Sequence, residues 1–447
     1  MKNTLLLTFS LLGSCVFAQE HFSGINTSRR TGLLNANINP AELTNLKNDY
    51  EVNIFNFSAN IANNKLTFGD LTGSDEDFED MLFAGSEPVN MRADVEILGP
   101  AFGFKMEKWA FAISTSAKIK ADVVDVNPAL GRALTNGVTS VAEVDNIIAG
   151  YNQRTSATTW GEIGFSAARD IYNTEIHKVS AGVTFKLLFP GSYANIGAGN
   201  FRGTIENNLG DVNLTDASGM VNVAYSGSLA NDFTDSSNFT DFFAGGLSGS
   251  AADIGVNYQW KDIDNSGYKL NAGLAVRNLG SMTFKDDNNV SRNYALEVAP
   301  GESLDLNQFE DVESLSELED ILLDNPQFFT ASEAQSDFKV KLPTMISAYA
   351  DVKFHSKLFA SAYIQQKMNE DNDNQQLAMQ NIITVTPRYS GNFFEAYTPL
   401  SHNEISGFTA GVGVRLGGFF IGSGSILSAA FTDTDQADAY FGFRFGF

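Results

Sequence analysis

From residue 91 to the last residue, apolar and polar side chains alternate with a period of two in one stretch after another. In the segment Trp109 to Lys120, Trp109, Phe111, Ile113, Ala117 and Ile119 share one side, while Ser114, Ser116, Lys118 and Lys120 share the other. Val179, Ala181, Val183, Phe185 and Leu187 alternate with Lys178, Ser180, Gly182, Thr184 and Lys186. Ile254, Val256, Tyr258 and Trp260 oppose Asp253, Gly255, Asn257 and Gln259. Met91 to Ile97, Leu270 to Arg277, Phe408 to Leu416 and Ala439 to Phe447 repeat the pattern, and a first strand is expected at Tyr50 to Asn60. A period of two predicts strands with two unlike faces. Their length is close to the roughly 9–11 residues that a tilted strand needs to cross a bilayer.

A soluble sandwich also alternates, but its outward face is wet and carries many charges. Here the polar face is mostly Gly, Ser, Ala, Thr and Asn with a sparse Lys or Arg, which suits the inside of a barrel. Trp109, Tyr258 and Trp260 end apolar faces, as side chains at a membrane interface do. When the outside is lipid, only closure satisfies every backbone group of a sheet. After Ala18 no apolar stretch approaches the roughly 20 residues of a spanning helix. The pattern therefore predicts an all-β, transmembrane antiparallel β-barrel over residues 49–447, preceded by a segment, 19–48, that lies in the lumen or in the periplasm.

Residues 1–18 have the features of a secretory signal peptide. Lys2 gives a positive start, Thr4 to Leu12 is mostly apolar, and Val16-Phe17-Ala18 is a small-residue cleavage site before Gln19. Leu12-Gly13-Ser14-Cys15 leaves open a second reading, a lipobox in which Cys15 is acylated. Both readings take the chain out of the cytoplasm. Composition narrows the picture further. One Cys among 447 residues excludes an internal disulfide, and one Cys with four scattered His supplies no zinc cluster. Twenty-nine basic against 53 acidic side chains, a net charge of -24, argues against a nucleic-acid partner.

Acidic stretches such as Asp70 to Asp80, Asn231 to Asp241, Asp286 to Asn289 and Asn369 to Gln376 are expected as long exposed loops. Within Gly301 to Asp324, Val312, Leu315, Leu318 and Leu322 recur at helical spacing, with Pro326 as a stop. That predicts a short acidic helix in an external loop, placed to cap the barrel mouth, and Val126 to Tyr151 is a second candidate for a helical loop. The run Asn369 to Asp373 lacks the fixed Gly and closing Glu of a calcium loop, so a solvated acidic loop is the better reading. No nucleophile elbow, phosphate loop or zinc-protease motif occurs, and His21, His177, His355 and His402 are isolated. No catalytic residue, metal or cofactor is expected, and the chain is not expected to be an enzyme.

Two resemblances add to this. Gly442-Phe443-Arg444-Phe445-Gly446-Phe447 resembles the β-signal of bacterial outer-membrane barrels, with Gly442, Phe445 and Phe447 at its key positions. It implies insertion by the barrel-assembly machinery into the outer membrane. Asn39-Pro40-Ala41 resembles the Asn-Pro-Ala motif of the FadL-like long-chain fatty acid transporter superfamily. Asp253 to Tyr258, followed by Gly273 to Gly280, is similar to paired strands of its PorV-like branch, and Leu342-Pro343 leading into a strand also fits. The whole layout resembles the DUF5723 barrels of Bacteroidetes. The resemblance implies about fourteen strands, and a lumenal hatch that carries Asn39, Pro40 and Ala41. It also implies binding or transport of a hydrophobic small molecule, with ligand-binding residues that no motif names. Its PorV-like branch implies the alternative, an accessory barrel whose partners are secretion or surface-assembly proteins.

Overall fold

The computed structural model describes residues 21–73, 78–135, 143–230, 236–263, 267–285, 288–309 and 312–447. Residues 1–18, where a leader is expected, lie with Cys15 outside the described residues. Among the described residues no helix is long and apolar enough to cross a membrane. The dominant structure is one antiparallel sheet of 21 strand segments.

Fourteen staves of this sheet close into a ring. The first is β1 (Tyr50–Asn63). The second is β2 (Val89–Leu98) with β3 (Ala101–Met106), laid end to end along β1 across Gly99-Pro100. Next come β4 (Trp109–Val126), β5 (Glu143–Asn173) and β6 (His177–Asn208). β7 (Asp211–Ser226) leaves the ring, which continues through β8 (Gly249–Lys261) and β9 (Tyr268–Phe284). β10 (Val290–Asp305) and β11 (Phe329–Ala331) also stand outside it. The eighth stave is β12 (Phe338–Lys341) with β13 (Met345–His355), and β14 (Leu358–Lys367) and β15 (Ile382–Ser390) are the ninth and tenth. β16 (Phe394–Tyr397) with β17 (Leu400–Asn403), and β18 (Gly407–Ala410) with β19 (Val412–Leu416), form the next two. β20 (Phe419–Ser423) and β21 (Gln436–Gly446) complete the ring, β21 pairing with β1 from Glu51↔Gly446 to Ala62↔Gln436. Closure leaves the ring no free edge.

The two faces sort as the alternation predicts. Ile113, Phe165, Val183, Phe185, Ile254, Val256, Leu274, Ile364, Val385, Ile421 and Phe441 are exposed on the outside. Ser180, Asn257, Asn271, Ser347, Thr384 and Thr409 are buried on the inside. An apolar belt around a polar interior is the inverse of a water-soluble protein and matches a barrel in lipid. Trp109 and Trp260 are exposed near the short-turn end, where Tyr50 stacks on Phe447 with ring centroids 5.8 Å apart. The remaining tryptophan, Trp160, points inward and is buried.

Outside the ring stands a second layer that the alternation did not reveal. The segment Tyr193–Asn208 of β6 turns away from β8 and pairs with β7, which pairs with β10, which pairs with β11. One face of this sheet has its own core, including Phe201, Ile205, Leu214, Val223, Tyr294 and Leu296. The helix Leu315–Asp324 and Leu130 of the helix Pro128–Thr135 pack on that core. The expected acidic helix therefore exists, but it begins at Ser314, whose Oγ accepts the Glu317 N–H at 3.1 Å, and it leaves Val312 outside. It sits against the outer sheet instead of capping the ring. Glu319 accepts from Tyr225 at 2.6 Å and Tyr294 at 2.7 Å, and it pairs with Arg292 at 2.7 Å. Burial, then the Glu319 hydrogen bond, pushes both phenols well above their ordinary pKa.

Candidate functional site

Residues 21–48 run inside the ring, and most are buried. Leu33–Ile38 form a short helix and Pro40–Asn45 a 3-10 turn, whose N-cap Asn39 accepts the Ala41 N–H at 3.0 Å. Asn39 Nδ2 donates to the Val256 carbonyl at 2.9 Å and to the Tyr349 hydroxyl at 3.3 Å. Glu42 Oε1 accepts from Asn257 at 2.9 Å, from Asn271 at 2.7 Å and from the Tyr349 hydroxyl. Further along, Thr44 bonds Ser180, and Lys178 donates to the Thr44 carbonyl. At the other end, Ser28 donates to Glu395, Arg30 approaches the same carboxylate at 3.9 Å, and Tyr440 donates to the Ser23 carbonyl.

The wall is hollowed to receive this segment. A Cβ on Gly182 would stand 2.5 Å from the Pro40 carbonyl carbon, and one on Gly255 would stand 2.0 Å from Asn39 Oδ1. A Cβ on Gly273 would meet both Asn39 and Tyr349 within 2.5 Å. Gly182 pairs directly with Gly255, and Gly273 lies on the next stave, so the gap is continuous across three staves and is bounded by Tyr349, which faces Gly273 across the β9–β13 ladder. Asn39, Pro40 and Ala41 are thus brought together with Gly255 and Gly273, on the two strands that carry the resemblance, and with Gly182 and Tyr349, which no motif named.

Between the segment and the wall lies a cavity of about 140 Å3. Phe22, Leu33, Leu34, Ala36 and Ile38 give it one apolar side. The opposite wall is charged. Glu96 on β2, Lys118 on β4, Glu162 on β5, Lys186 on β6 and Asp253 on β8 alternate in sign across five neighbouring staves. Lys118 lies 2.8 Å from Glu96 and 3.8 Å from Glu162, while Lys186 lies 2.9 Å from Asp253 and 3.9 Å from Glu162. The interior is thus far more ionic than the sparse charge read from the polar faces. Arg277 also lines the cavity and bonds neutral groups, the Asn37 carbonyl, the Tyr363 hydroxyl and Gln365. The signal that could have located this ladder was in the alternation itself: an ionic side chain at an inward position needs a partner on the next strand.

Beside the cavity the second stave breaks at Gly99-Pro100, where proline has no N–H to give. Asn53 Nδ2 caps the break, donating to the Gly99 carbonyl at 2.9 Å. At the long-loop end, residues 368–381 do not project as an open acidic loop. They fold inward: Asp371 pairs with Arg92 at 3.2 Å and with Lys367 at 2.6 Å, and Met379 lines the cavity. The attraction of Asp371 to a buried cation outweighs its solvation as a free carboxylate. Among the described residues no group of three or more His, Cys, Asp or Glu side chains is placed to hold a metal.

A wall recess, a segment that fills it and a ring of fourteen staves make a specific layout, and one family profile matches residues 40–424 of it. The chain belongs to the DUF5723 family. That family is described as one of unknown function. Among curated proteins none matches. Among solved structures this DUF5723 chain is similar to the P. putida toluene transporter TodX, at 9% identity and TM-score 0.43, covering 92% of this chain and 94% of that one. The Ralstonia pickettii toluene transporter TbuX matches at 11% identity and TM-score 0.40, with 98% and 97% covered. A Pseudomonas aeruginosa FadL homologue matches at 9% identity and TM-score 0.42, with 96% and 98% covered.

Gly442, Phe445 and Phe447 lie at the seam. Gly442 is buried, and a Cβ there would meet Asn56 and Phe420 within 2.3 Å. Phe445 and Phe447 are exposed on the outer face, and Phe447 exchanges backbone hydrogen bonds with Tyr50 at 3.0 and 3.1 Å.

Proposed function

We propose that this protein is an outer-membrane barrel that binds hydrophobic small molecules and passes them across the membrane, in the manner of FadL-like proteins. The observation that carries the reading is the cavity between residues 21–48 and the wall, apolar on one side and about 140 Å3 in volume. A void of about 150 Å3 with an apolar lining admits benzene in another protein. The cavity is therefore of the right size for one small apolar molecule. In this reading residues 19–48 are the hatch, held by Asn39, Pro40 and Ala41, and the break at Gly99-Pro100 offers a sideways exit into lipid. Residues 1–18 direct export and are removed after Ala18, or Cys15 is acylated. The barrel-assembly machinery recognises Gly442, Phe445 and Phe447.

The test is uptake of a panel of radiolabelled hydrophobic compounds, from single-ring aromatics to long-chain fatty acids, by cells with and without the gene. Uptake of at least one class should fall on deletion and return on complementation. Unchanged uptake across the panel would remove the reading. The outer sheet of β7, β10 and β11, with its own core, favours a second reading, an accessory barrel that binds secretion or surface-assembly proteins. In that case a pull-down in native detergent yields partners that are lost when residues 290–331, which hold β10, the helix Leu315–Asp324 and β11 but no stave of the ring, are replaced by a short linker.

A further inference from the structure

We propose that residues 368–381 are a lid that closes the long-loop mouth of the ring, with Asp371 and Asn374 as its latches, and that it must lift before a molecule can reach the cavity from that side. This regulates the site of the proposed transport and rests on reading the barrel as a conduit. The lid springs from the ninth and tenth staves, β14 and β15, while Arg92 belongs to the second stave, β2. In a ring of fourteen, the ninth and second positions are seven steps apart in either direction. The Asp371–Arg92 pair, 3.2 Å long, therefore joins opposite sides of the mouth.

A second latch lies on the fourth and fifth staves. Asn152 on β5 donates to the Asn372 carbonyl at 2.7 Å and to Asn374 Oδ1 at 3.0 Å, and Asn195 on β6 donates to the same oxygen at 3.3 Å. Arg154 donates to the Gln376 carbonyl at 2.7 Å. The half of β6 that pairs with β7 is shaped for this contact too, because a Cβ on Gly197 would stand 2.3 Å from Asn374 Oδ1. Nearer its root the lid is apolar. Leu377 is buried among Trp160, Leu188 and Tyr193, and Met379 reaches the cavity.

The division of labour follows from the chemistry. Leu377 anchors one arm of the loop in a core, while the far reach is held by a few polar contacts that water can replace one by one. With the lid down these contacts are sheltered, Arg92, Arg154 and Asn195 being buried, but lifting it gives every one of these groups water in return, so this arm opens at lower cost than the ring itself. Arg92 keeps Asp122 at 3.4 Å when the lid lifts, so the Asp371 contact can be released without leaving a buried cation unpaired.

The experiment places one thiol in the cavity with Ser116→Cys and reads its modification by a membrane-impermeant maleimide added outside intact cells, quantified by mass at that site. In the otherwise unaltered protein labelling should be slow. With Asp371→Asn or Asn374→Ala it should rise about tenfold, and with both changes further still, while the folded band in unheated electrophoresis is kept. Equal labelling rates in folded proteins with and without the latches would overturn the lid. The thiol readout needs no transported molecule, so the two proposals fail separately. Faster labelling without any hydrophobic uptake sinks the transport reading alone, and uptake with unchanged labelling sinks the lid alone.

Discussion

Glu42 shows how a single buried side chain fixes residues 21–48 to the wall. Its Oε1 gathers donors from β8, β9 and β13, three successive staves, so one atom reports whether the segment is seated. Glu42→Ala leaves the Tyr349 hydroxyl without its carboxylate acceptor, and an unsatisfied buried group costs about 1–3 kcal/mol. Hydrogen exchange of the amides at 39–45 should quicken while the ring amides stay protected. Unchanged exchange there would mean that the cluster does not hold the segment. Gly255→Ala tests the same seating by sterics, since its new methyl would occupy the place of Asn39 Oδ1. Gly150→Ala, where no atom lies within 4 Å, is the matched control and should leave exchange unaltered.

At the scale of elements, the outer sheet depends on a polar bolt. Glu319 joins the helix Leu315–Asp324 to Tyr225 on β7 and Tyr294 on β10. Glu319→Ala removes the acceptor from two buried hydroxyls and leaves Arg292 unpaired, at a cost of about 2–5 kcal/mol to the docked helix. Limited proteolysis should then cut between 312 and 328 while the ring remains intact, and resistance equal to the parent would show that the apolar contacts alone suffice. The loop before β21 makes a weaker, pH-dependent join. Asp433 accepts the Gly69 N–H at 3.1 Å, and that bond holds its carboxyl below the ordinary range. A carboxyl depressed on folding stabilises above its unfolded pKa and loses that contribution as pH falls through the folded value. Protease accessibility at residues 67–70 should therefore stay constant from neutral pH to about 4 and rise only below it. Asp433→Asn should flatten that rise.

These elements also show what a sequence can reveal. The staves were legible because each carries its environment in its own residues, lipid on one side and lumen on the other, as Ile254 to Trp260 does against Asp253 to Gln259. The resemblance at Asn39-Pro40-Ala41 pointed to a lumenal segment, but nothing local says that Gly182, Gly255 and Gly273 make its recess. Those glycines lie on three different staves, and their juxtaposition is a matter of register. The lid failed to appear for the same reason. Asn369 to Gln376 is as polar as any solvated loop, and its partner Arg92 is 279 positions away from Asp371. The outer sheet hid because β6 is one continuous strand whose two halves pair with different neighbours, β8 below and β7 above.

For the whole molecule, everything inside depends on the seam between β1 and β21. There Phe447 and Tyr50 exchange backbone hydrogen bonds and stack at 18° between ring planes. Two roles for Phe447 can be separated. As a contact, its aromatic pairing is worth about 0.5–1.5 kcal/mol beyond the area it covers, a small share of a closed sheet's stability. In its proposed role as a signal to the assembly machinery, it would act before the ring exists and contribute nothing once the ring has closed. Phe447→Leu keeps the backbone bonds and most of the apolar area while removing the ring. Refolded from denaturant into detergent, this variant should give nearly the parent's yield of the compact, heat-modifiable species. In cells, its folded fraction in the outer membrane should drop severalfold, with unassembled chain accumulating in the periplasm. Equal losses in both settings would make the residue a structural contact only, and equal success in both would remove the recognition role proposed for it.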